Sequence, residues 1–406
     1  MSSKYLFLLS SLPPSRSANG LCVKKVMSEF SDLKDVFAIT FDDGSPRNDL
    51  GITEIRIPLR PWDRMTSLIL KSPFFIAIFL RCLLHIKRFV MLPIWPTYSF
   101  STVLHFYKSA SRLVKRENIS HIIAVCYPGE TLLALCLLKI RFGKRIKTIM
   151  YPLDATLGGK YEGFLIERKL SVIFSGSFYK FCSHFTDRII VLENAIDLFE
   201  SKLPKQKDKF MVCGLPLVKN DASVWAPINK QNLQFVYGGN IIKAIRNPDY
   251  LFEFLNECAE KKGLGITIKI YGSVDKSLLD EFISKYKCLC FEYYGWVAED
   301  VLTDAINQAS ALISVGNSVA HLIPSKLFKY ISLKKPIIHL YFIDDDPCIP
   351  YLKKYGHSFF IKNGDSFDAQ KFSVWLDSLT SEISIDCEKV FEKCTPRYTA
   401  KMIELC

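Results

Sequence analysis

The stretch from Asp300 to Leu340 restricts the possible folds of this chain more than any other. Ala311-Leu312-Ile313-Ser314 reads as a short buried strand, and Gly316-Asn317-Ser318 opens a loop at its carboxyl end. Pro324 suits a first helical position and Ser325 the first turn. Leu327, Phe328, Tyr330 and Ile331 then recur at helical spacing, Lys334-Lys335 close the helix, and Ile337-Ile338-His339-Leu340 begin the next strand. A loop and a helix N-terminus at the carboxyl end of a parallel strand form a natural site for a phosphate-bearing ligand. Backbone N–H groups and the positive helix end supply the attraction, and Lys326 adds a point charge.

The same alternation runs through the rest of the chain. Strand candidates in the N-terminal half are Tyr5 to Leu9, Val36 to Thr40, Ile122 to Cys126, Thr148 to Tyr151, Arg188 to Leu192 and Phe210 to Cys213, with helical patterns such as Thr131 to Phe142 between them. Strand alternating with helix predicts an α/β architecture, a parallel sheet with helices on both faces. The scheme restarts at Leu233. Between the halves lies a stretch with Pro216, Asn220, Asp221, Pro227 and Asn229, a linker by composition. At 406 residues the chain is long enough for two or three domains. The expected boundaries are 1–218, a linker 219–231, a second domain 232–385, and a C-terminal helix 386–406, the last part of a stretch, Lys371 to Cys406, that is helical in pattern.

Thirteen cysteines are scattered without a Cys-x-x-Cys pair, and Cys126, Cys136 and Cys213 sit inside apolar patterns. Cysteine there acts as a small hydrophobe. Tyr5 to Leu9 is too short for a signal peptide and runs into Pro13-Pro14, so a reducing, cytoplasmic setting is expected. The net charge of +12 calls for an acidic partner or surface. No helix-turn-helix, zinc-finger or RRM signature is present, so nucleic acid is not the expected partner. A membrane face and anionic nucleotide-sugars or lipid pyrophosphates remain.

A second motif supports the first. Leu233 to Tyr237 reads as a strand, Gly238-Gly239-Asn240 as its turn, and Arg246-Asn247-Pro248 leads into Tyr250, Leu251, Phe254 and Leu255 at helical spacing. Ile266 to Gly272 and Phe291 to Trp296 are further strands ending near glycine. Together with Ser325-Lys326-Leu327-Phe328 and Lys335-Pro336-Ile337-Ile338, this order resembles the donor half of GT-B glycosyltransferases, in particular bacterial retaining members of the family 4 type. The resemblance is close from about Leu233 to Phe360 and looser before it. It implies two Rossmann-like, doubly wound domains facing across a cleft, with a terminal helix returning to the first. It also implies a nucleotide diphosphate-sugar donor on the second domain and a saccharide or undecaprenyl-pyrophosphate-linked acceptor on the first, in capsule or O-antigen synthesis. The donor-site residues implied are Gly239, Asn240, Arg246, Gly272, Asn317, His321, Ser325, Lys326 and Lys329. A GT-B-fold nucleotide-sugar epimerase or a non-catalytic nucleotide-sugar-binding protein is the alternative.

One position departs from the pattern. Many retaining members carry two glutamates separated by seven residues, the second holding the nucleotide ribose. Counting back from Pro336, these positions are His321 and Lys329 here. Lysine has three donors and no acceptor, so it cannot accept from a ribose diol.

In the first half, the loop after the first strand carries Arg16, Asn19 and Gly20, which the resemblance places at the cleft and acceptor. Tyr127-Pro128-Gly129-Glu130 and Pro152-Leu153-Asp154 follow later strands at their carboxyl ends. Glu130 and Asp154 are each either a catalytic carboxylate or a helix N-terminal charge that satisfies the dipole. No cysteine–histidine–carboxylate spacing suggests a metal, and Asp344-Asp345-Asp346 reads as a solvated turn. GT-B chemistry implies no cofactor and no metal. Finally, Ser72 to Trp95 contains an apolar run too short to span a bilayer. It is either a buried helix or one lying on an anionic membrane surface, with Arg81, Lys87 and Arg88 toward headgroups and phenylalanines inward.

Overall fold

A computed structural model describes residues 3–15, 17–153, 165–221, 228–243, 245–317, 322–379 and 383–406, and every count below is of these. The chain divides into two compact units, Met1–Pro216 with Lys393–Cys406, and Leu217–Glu392.

The first unit contains strands β1 (Tyr5–Leu8), β2 (Val36–Asp42), β3 (Thr53–Pro58), β4 (His121–Val125), β5 (Lys147–Tyr151), β6 (Arg188–Leu192) and β7 (Phe210–Cys213). They form one parallel sheet in the order β3-β2-β1-β4-β5-β6-β7. β1 and β4 are buried along their whole length, as expected for near-continuous apolar strands covered on both faces. β3 was not expected: Thr53-Glu-Ile-Arg-Ile-Pro has no apolar run because it is an edge strand. Its Glu54 accepts from Thr40 Oγ1 of β2 at 2.7 Å. The chain steps outward through β2 and β3 and then returns to β4 beside β1. The direction of winding therefore reverses between β1 and β4.

The second unit repeats the plan with β8 (Asn232–Gly238), β9 (Gly265–Tyr271), β10 (Leu289–Gly295), β11 (Ala311–Val315), β12 (Ile337–Tyr341) and β13 (Ser358–Lys362). The order is β10-β9-β8-β11-β12-β13, again all parallel. The reversal falls between β8 and β11, and ligands of such sheets bind outside the strand carboxyl ends at that point. Phe235, Ile268, Phe252, Leu255, Ile338 and Leu340 are fully buried about this sheet. Each contributes about 1.5–3 kcal/mol of hydrophobic burial.

Two helical expectations are corrected. The helix after β11 is Lys326–Ser332, beginning two residues later than Pro324. Pro324 instead accepts the Leu327 N–H at 3.0 Å in a single turn ahead of it. Residues 371–406 are not one helical stretch but parts of three helices, Ala369–Ser378, Cys387–Val390 and Pro396–Glu404. The last is capped by Thr395, which accepts from Tyr398 N at 3.2 Å. It buries Thr399, Ala400 and Ile403 in the first unit.

Helices Pro61–Lys71 and Phe74–Met91 form an outlying pair. Only Ile69, Ala77 and Leu84 are buried between them. Phe75 is 83% exposed and Phe79 62%, so this segment is not a buried core helix. Among the described residues no helix is long and apolar enough to cross a membrane. All thirteen cysteines are free.

Candidate functional site

In the second unit the chain at the end of β8 is held by backbone pairing and one phenol. Gly239 N–H donates to Tyr271 O at 2.7 Å, and Gly238 N–H donates to the Tyr330 hydroxyl at 2.9 Å. Tyr330 is buried and comes from the helix Lys326–Ser332, so that helix is locked onto the end of β8. Asn240 closes the turn, accepting from Tyr237 through its carbonyl and from Ser273 N through its side chain. Gly272 at the end of β9 has φ +130°, and a Cβ there would collide with the Gly239 carbonyl. Only glycine satisfies both constraints.

Three cations converge at this point. Lys326 Nζ lies 3.5 Å from where a Cβ on Gly238 would stand. Burial lowers the Lys326 pKa to about 8, with Lys329 and Arg246 adding like-charge repulsion. Arg246 Nε donates to Asn317 Oδ1 at 2.8 Å, and Asn317 Nδ2 donates to Leu322 O at 2.7 Å. Asn317 is 3% exposed, a rigid post between the β11 loop and Arg246. Ser325 stands just before the helix, half-buried, with no side-chain cap bond. Lys329 points to the helix Glu299–Gln308, where its Nζ meets Glu299 Oε1 at 2.9 Å and Thr303 Oγ1 at 3.2 Å. The structure thus gathers Gly239, Asn240, Arg246, Gly272, Asn317, Ser325, Lys326 and Lys329 about the carboxyl ends of β8, β9 and β11. His321 lies outside the described residues.

In the first unit a cavity of about 460 Å³ opens at the carboxyl ends of β1, β2 and β4. Ser10, Ser11, Asn19, Asp43, Arg60 and Tyr127 line it. Gly20 lets the helix Ala18–Met27 begin against the β1 loop, because a Cβ there would strike the Ser11 carbonyl. Ser17 caps that helix, accepting from Gly20 N at 3.1 Å. Tyr127 is 39% exposed with φ +71°, so its ring is offered outward.

Glu130 is enclosed, with no exposed surface. It accepts from Tyr98 N at 2.9 Å, and its other oxygen lies 3.9 Å from Arg60 Nη1. Burial raises its pKa despite Arg60 and the Tyr98 N–H. Arg60 is bidentate to Asp63 at 2.8 and 3.0 Å and stands over the rings of Phe41, Tyr98 and Tyr127 at 5.7–5.8 Å. Burial alone would lower its pKa, yet Asp63 and Glu130 leave it raised. Glu130 therefore reaches the cavity only through Arg60. Arg16 and Asp154 lie outside the described residues. Asp187, at the opposite end of the sheet, binds Lys139 Nζ at 2.6 Å and Thr148 N at 2.8 Å, a structural role.

Sequence reasoning did not single out Arg60, Asp43 or Tyr330. The first two follow strand ends, β3 and β2, and recognition of β3 would have exposed Arg60. Tyr330 reads in sequence only as a core position. The acidic triplet also divides: Asp344 pairs with Lys362 at the surface, whereas Asp346 is buried. It is not a solvated turn.

No known family profile matches this sequence, and no curated protein matches it in sequence. Solved structures do match in fold. The lipopolysaccharide outer core galactosyltransferase WaaB superposes with a TM-score of 0.61 at 13% identity, covering 99% of both chains. HepE from Anabaena, solved with UDP and glucose, gives 0.54 at 12% over 99% of this chain and 95% of its own. WaaG, a glycosyltransferase of lipopolysaccharide biosynthesis, gives 0.54 at 11% over 98% and 94%. The architecture is the GT-B fold.

Proposed function

We propose that this protein is a glycosyltransferase that moves a sugar from a nucleotide diphosphate-sugar to a saccharide acceptor. The observation that carries this reading is the convergence of Lys326 and Arg246 on the glycine turn at the β8/β11 reversal. Two cations in a partly desolvated site, one held by a buried amide, match a diphosphate that gains charge as it leaves. These groups neutralise the leaving group from protein side chains, so the transfer step is assigned no metal.

The acceptor is assigned to the cavity of the first unit. Tyr127 supplies an aromatic face for a sugar ring, and Asp43, Asn19 and the serines supply hydrogen bonds to its hydroxyls. Arg60 is already neutralised by Asp63 and Glu130, so the cavity suits a neutral sugar better than a phosphate.

The outlying helix pair supports a lipid-linked acceptor, as in capsule or O-antigen assembly. Phe74, Phe75, Phe79, Ile86 and Phe89 are exposed on a helix without a single acidic residue, and Arg81 lies exposed among them. Apolar residues with flanking cations fit an anionic bilayer surface. Mass spectrometry of ligands that co-purify with the protein tests the central claim. A nucleotide-sugar, or its nucleoside diphosphate, is expected. Calorimetry showing no nucleoside diphosphate binding would refute it.

A further inference from the structure

Beside the Gly316-Asn317 turn, three side chains of different chemistry meet without solvent. His339 is 0% exposed, Asp346 2% and Cys348 0%, and one potential ligand atom of each lies within 4.8 Å of the others. His339 sits on β12 opposite Ser314 of β11, and its Nδ1 is 3.0 Å from Ser314 Oγ. That contact fixes the ring and turns Nε2 toward Asp346. Asp346 Oδ1 accepts the Cys348 N–H at 2.7 Å. The backbone that carries the thiol is thereby tied to the carboxylate.

The spacing is the telling feature. His339 Nε2 and Asp346 Oδ1 are 3.6 Å apart. A charge-assisted hydrogen bond would close to about 2.7–2.9 Å. Two ligands on a tetrahedral ion, each bonded at about 2.0–2.2 Å, stand roughly 3.4 Å apart. Moreover, His339 Nε2 and Asp346 Oδ2 are both buried without a hydrogen-bond partner. Leaving two such atoms orphaned costs about 1–3 kcal/mol each. Among the described residues no other cluster offers three ligands of this kind.

We infer that His339, Asp346 and Cys348 form a binding site for a zinc(II) ion. One thiolate, one imidazole and one carboxylate make a borderline donor set that suits zinc rather than magnesium or calcium. Binding displaces the Cys348 thiol proton to solvent. His339 binds as neutral imidazole through Nε2 with its proton on Nδ1, directed at Ser314, the usual outer contact of a ligating histidine. No electron moves. The ion would tie the loop after β12 back to β12 itself, with Asp346 packed against Gly316 of the neighbouring turn. The inference stands apart from the transferase reading.

The test uses the full-length protein, exposed to zinc and then freed of loose metal by gel filtration. Elemental analysis should find one zinc per chain, and zinc-edge X-ray absorption should show one sulfur at about 2.3 Å with nitrogen or oxygen at about 2.0–2.1 Å. Cys348→Ala and His339→Ala should each lose the metal. Zinc content far below one equivalent, a shell with no sulfur or several, or full retention by Cys348→Ala overturns the proposal. Should the variants fail to fold, the absorption spectrum of the unaltered protein decides alone.

Discussion

Arg246 and Asn317 join the two loops that flank the winding reversal of the second sheet, Nε to Oδ1 at 2.8 Å. The amide accepts from the guanidinium without cancelling its charge, and it is itself anchored to Leu322 O. A carboxylate would hold Arg246 equally well and neutralise it. Asn317→Asp should therefore weaken nucleoside diphosphate binding roughly tenfold, about 1.4 kcal/mol, and, because a carboxylate cannot donate to Leu322 O, should also cost about 1–3 kcal/mol of stability. Calorimetry checks this, and affinity equal to the unaltered protein would remove Arg246 from the diphosphate site.

Lys326 gives a second test, through pH. Its pKa of about 8 is depressed, first by burial and then by Lys329 and Arg246. A bound diphosphate favours the ammonium, so affinity should be level below pH 7 and fall as pH rises through 8, with a proton taken up on binding. The stability of the free protein moves oppositely. Between pH 8 and 10.5 the unfolded chain binds more protons at this residue, so stability rises with pH there. Lys326→Ala should lower diphosphate affinity by about 1.5–3 kcal/mol and abolish the pH dependence of binding. A pH profile that persists in the variant would show that another group titrates.

Glu130 and Arg60 make the third case. With Glu130 enclosed beside Arg60, Arg60→Met would leave a buried carboxylate held by backbone N–H groups alone. Breaking such a pair costs about 3–5 kcal/mol, a fall in Tm of roughly 6–20 °C for a unit of this size. Glu130→Gln keeps the Tyr98 contact and should retain transfer within a few-fold. Loss of kcat by orders of magnitude with unchanged Tm would instead identify Glu130 as the catalytic base.

The exposed helix Phe74–Met91 should bind anionic vesicles and release at high salt, where charge is screened within a few ångströms. Phe75→Ser with Phe79→Ser removes about 1.5–3 kcal/mol of insertion per residue. Because both rings are exposed, thermal stability should be unchanged. Vesicle binding that survives the double change, as measured by co-sedimentation, would rule out docking through this face.

In the second unit β11 and β12 are legible as apolar runs buried along nearly their whole length, and β8, β9 and β10 through the glycine at the end of each, whereas β13 is short, half-exposed and not read from the sequence. β3 was hidden because an edge strand alternates polar and apolar residues and matches no buried-strand pattern. The helix after β11 was placed two residues early. Pro324 and Ser325 carry start signals, but the single turn at Leu327 delays the first helical residue. The cations of the donor site were readable as residue types at strand ends. What holds them was not: the Asn317 post, the Tyr330 lock on Gly238 and the Glu299 partner of Lys329 are contacts between segments far apart in sequence, on which local pattern is silent.

That last contact revises what a substitution at Lys329 should do. On helix propensity alone, glutamate is well tolerated at this position. The structure places Lys329 Nζ 2.9 Å from Glu299 Oε1, so Lys329→Glu would set two carboxylates against each other. Glu299 is exposed and can swing outward, so the fold should survive with a loss of under about 1 kcal/mol. The larger effect should fall on the ligand. Lys329 is one of the charges that depress the Lys326 pKa, and reversing its sign would raise that pKa above 8 and place a negative charge near the diphosphate. Diphosphate affinity should fall, and the alkaline loss of binding should move to higher pH. A double exchange, Lys329→Glu with Glu299→Lys, rebuilds the ion pair in reverse and restores the local net charge while supplying an acceptor carboxylate on the helix Lys326–Ser332. If Lys329 faces the nucleotide, this protein should recover diphosphate affinity. Equal affinity and an equal pH midpoint in all three proteins would show that Lys329 serves only the contact with the helix Glu299–Gln308.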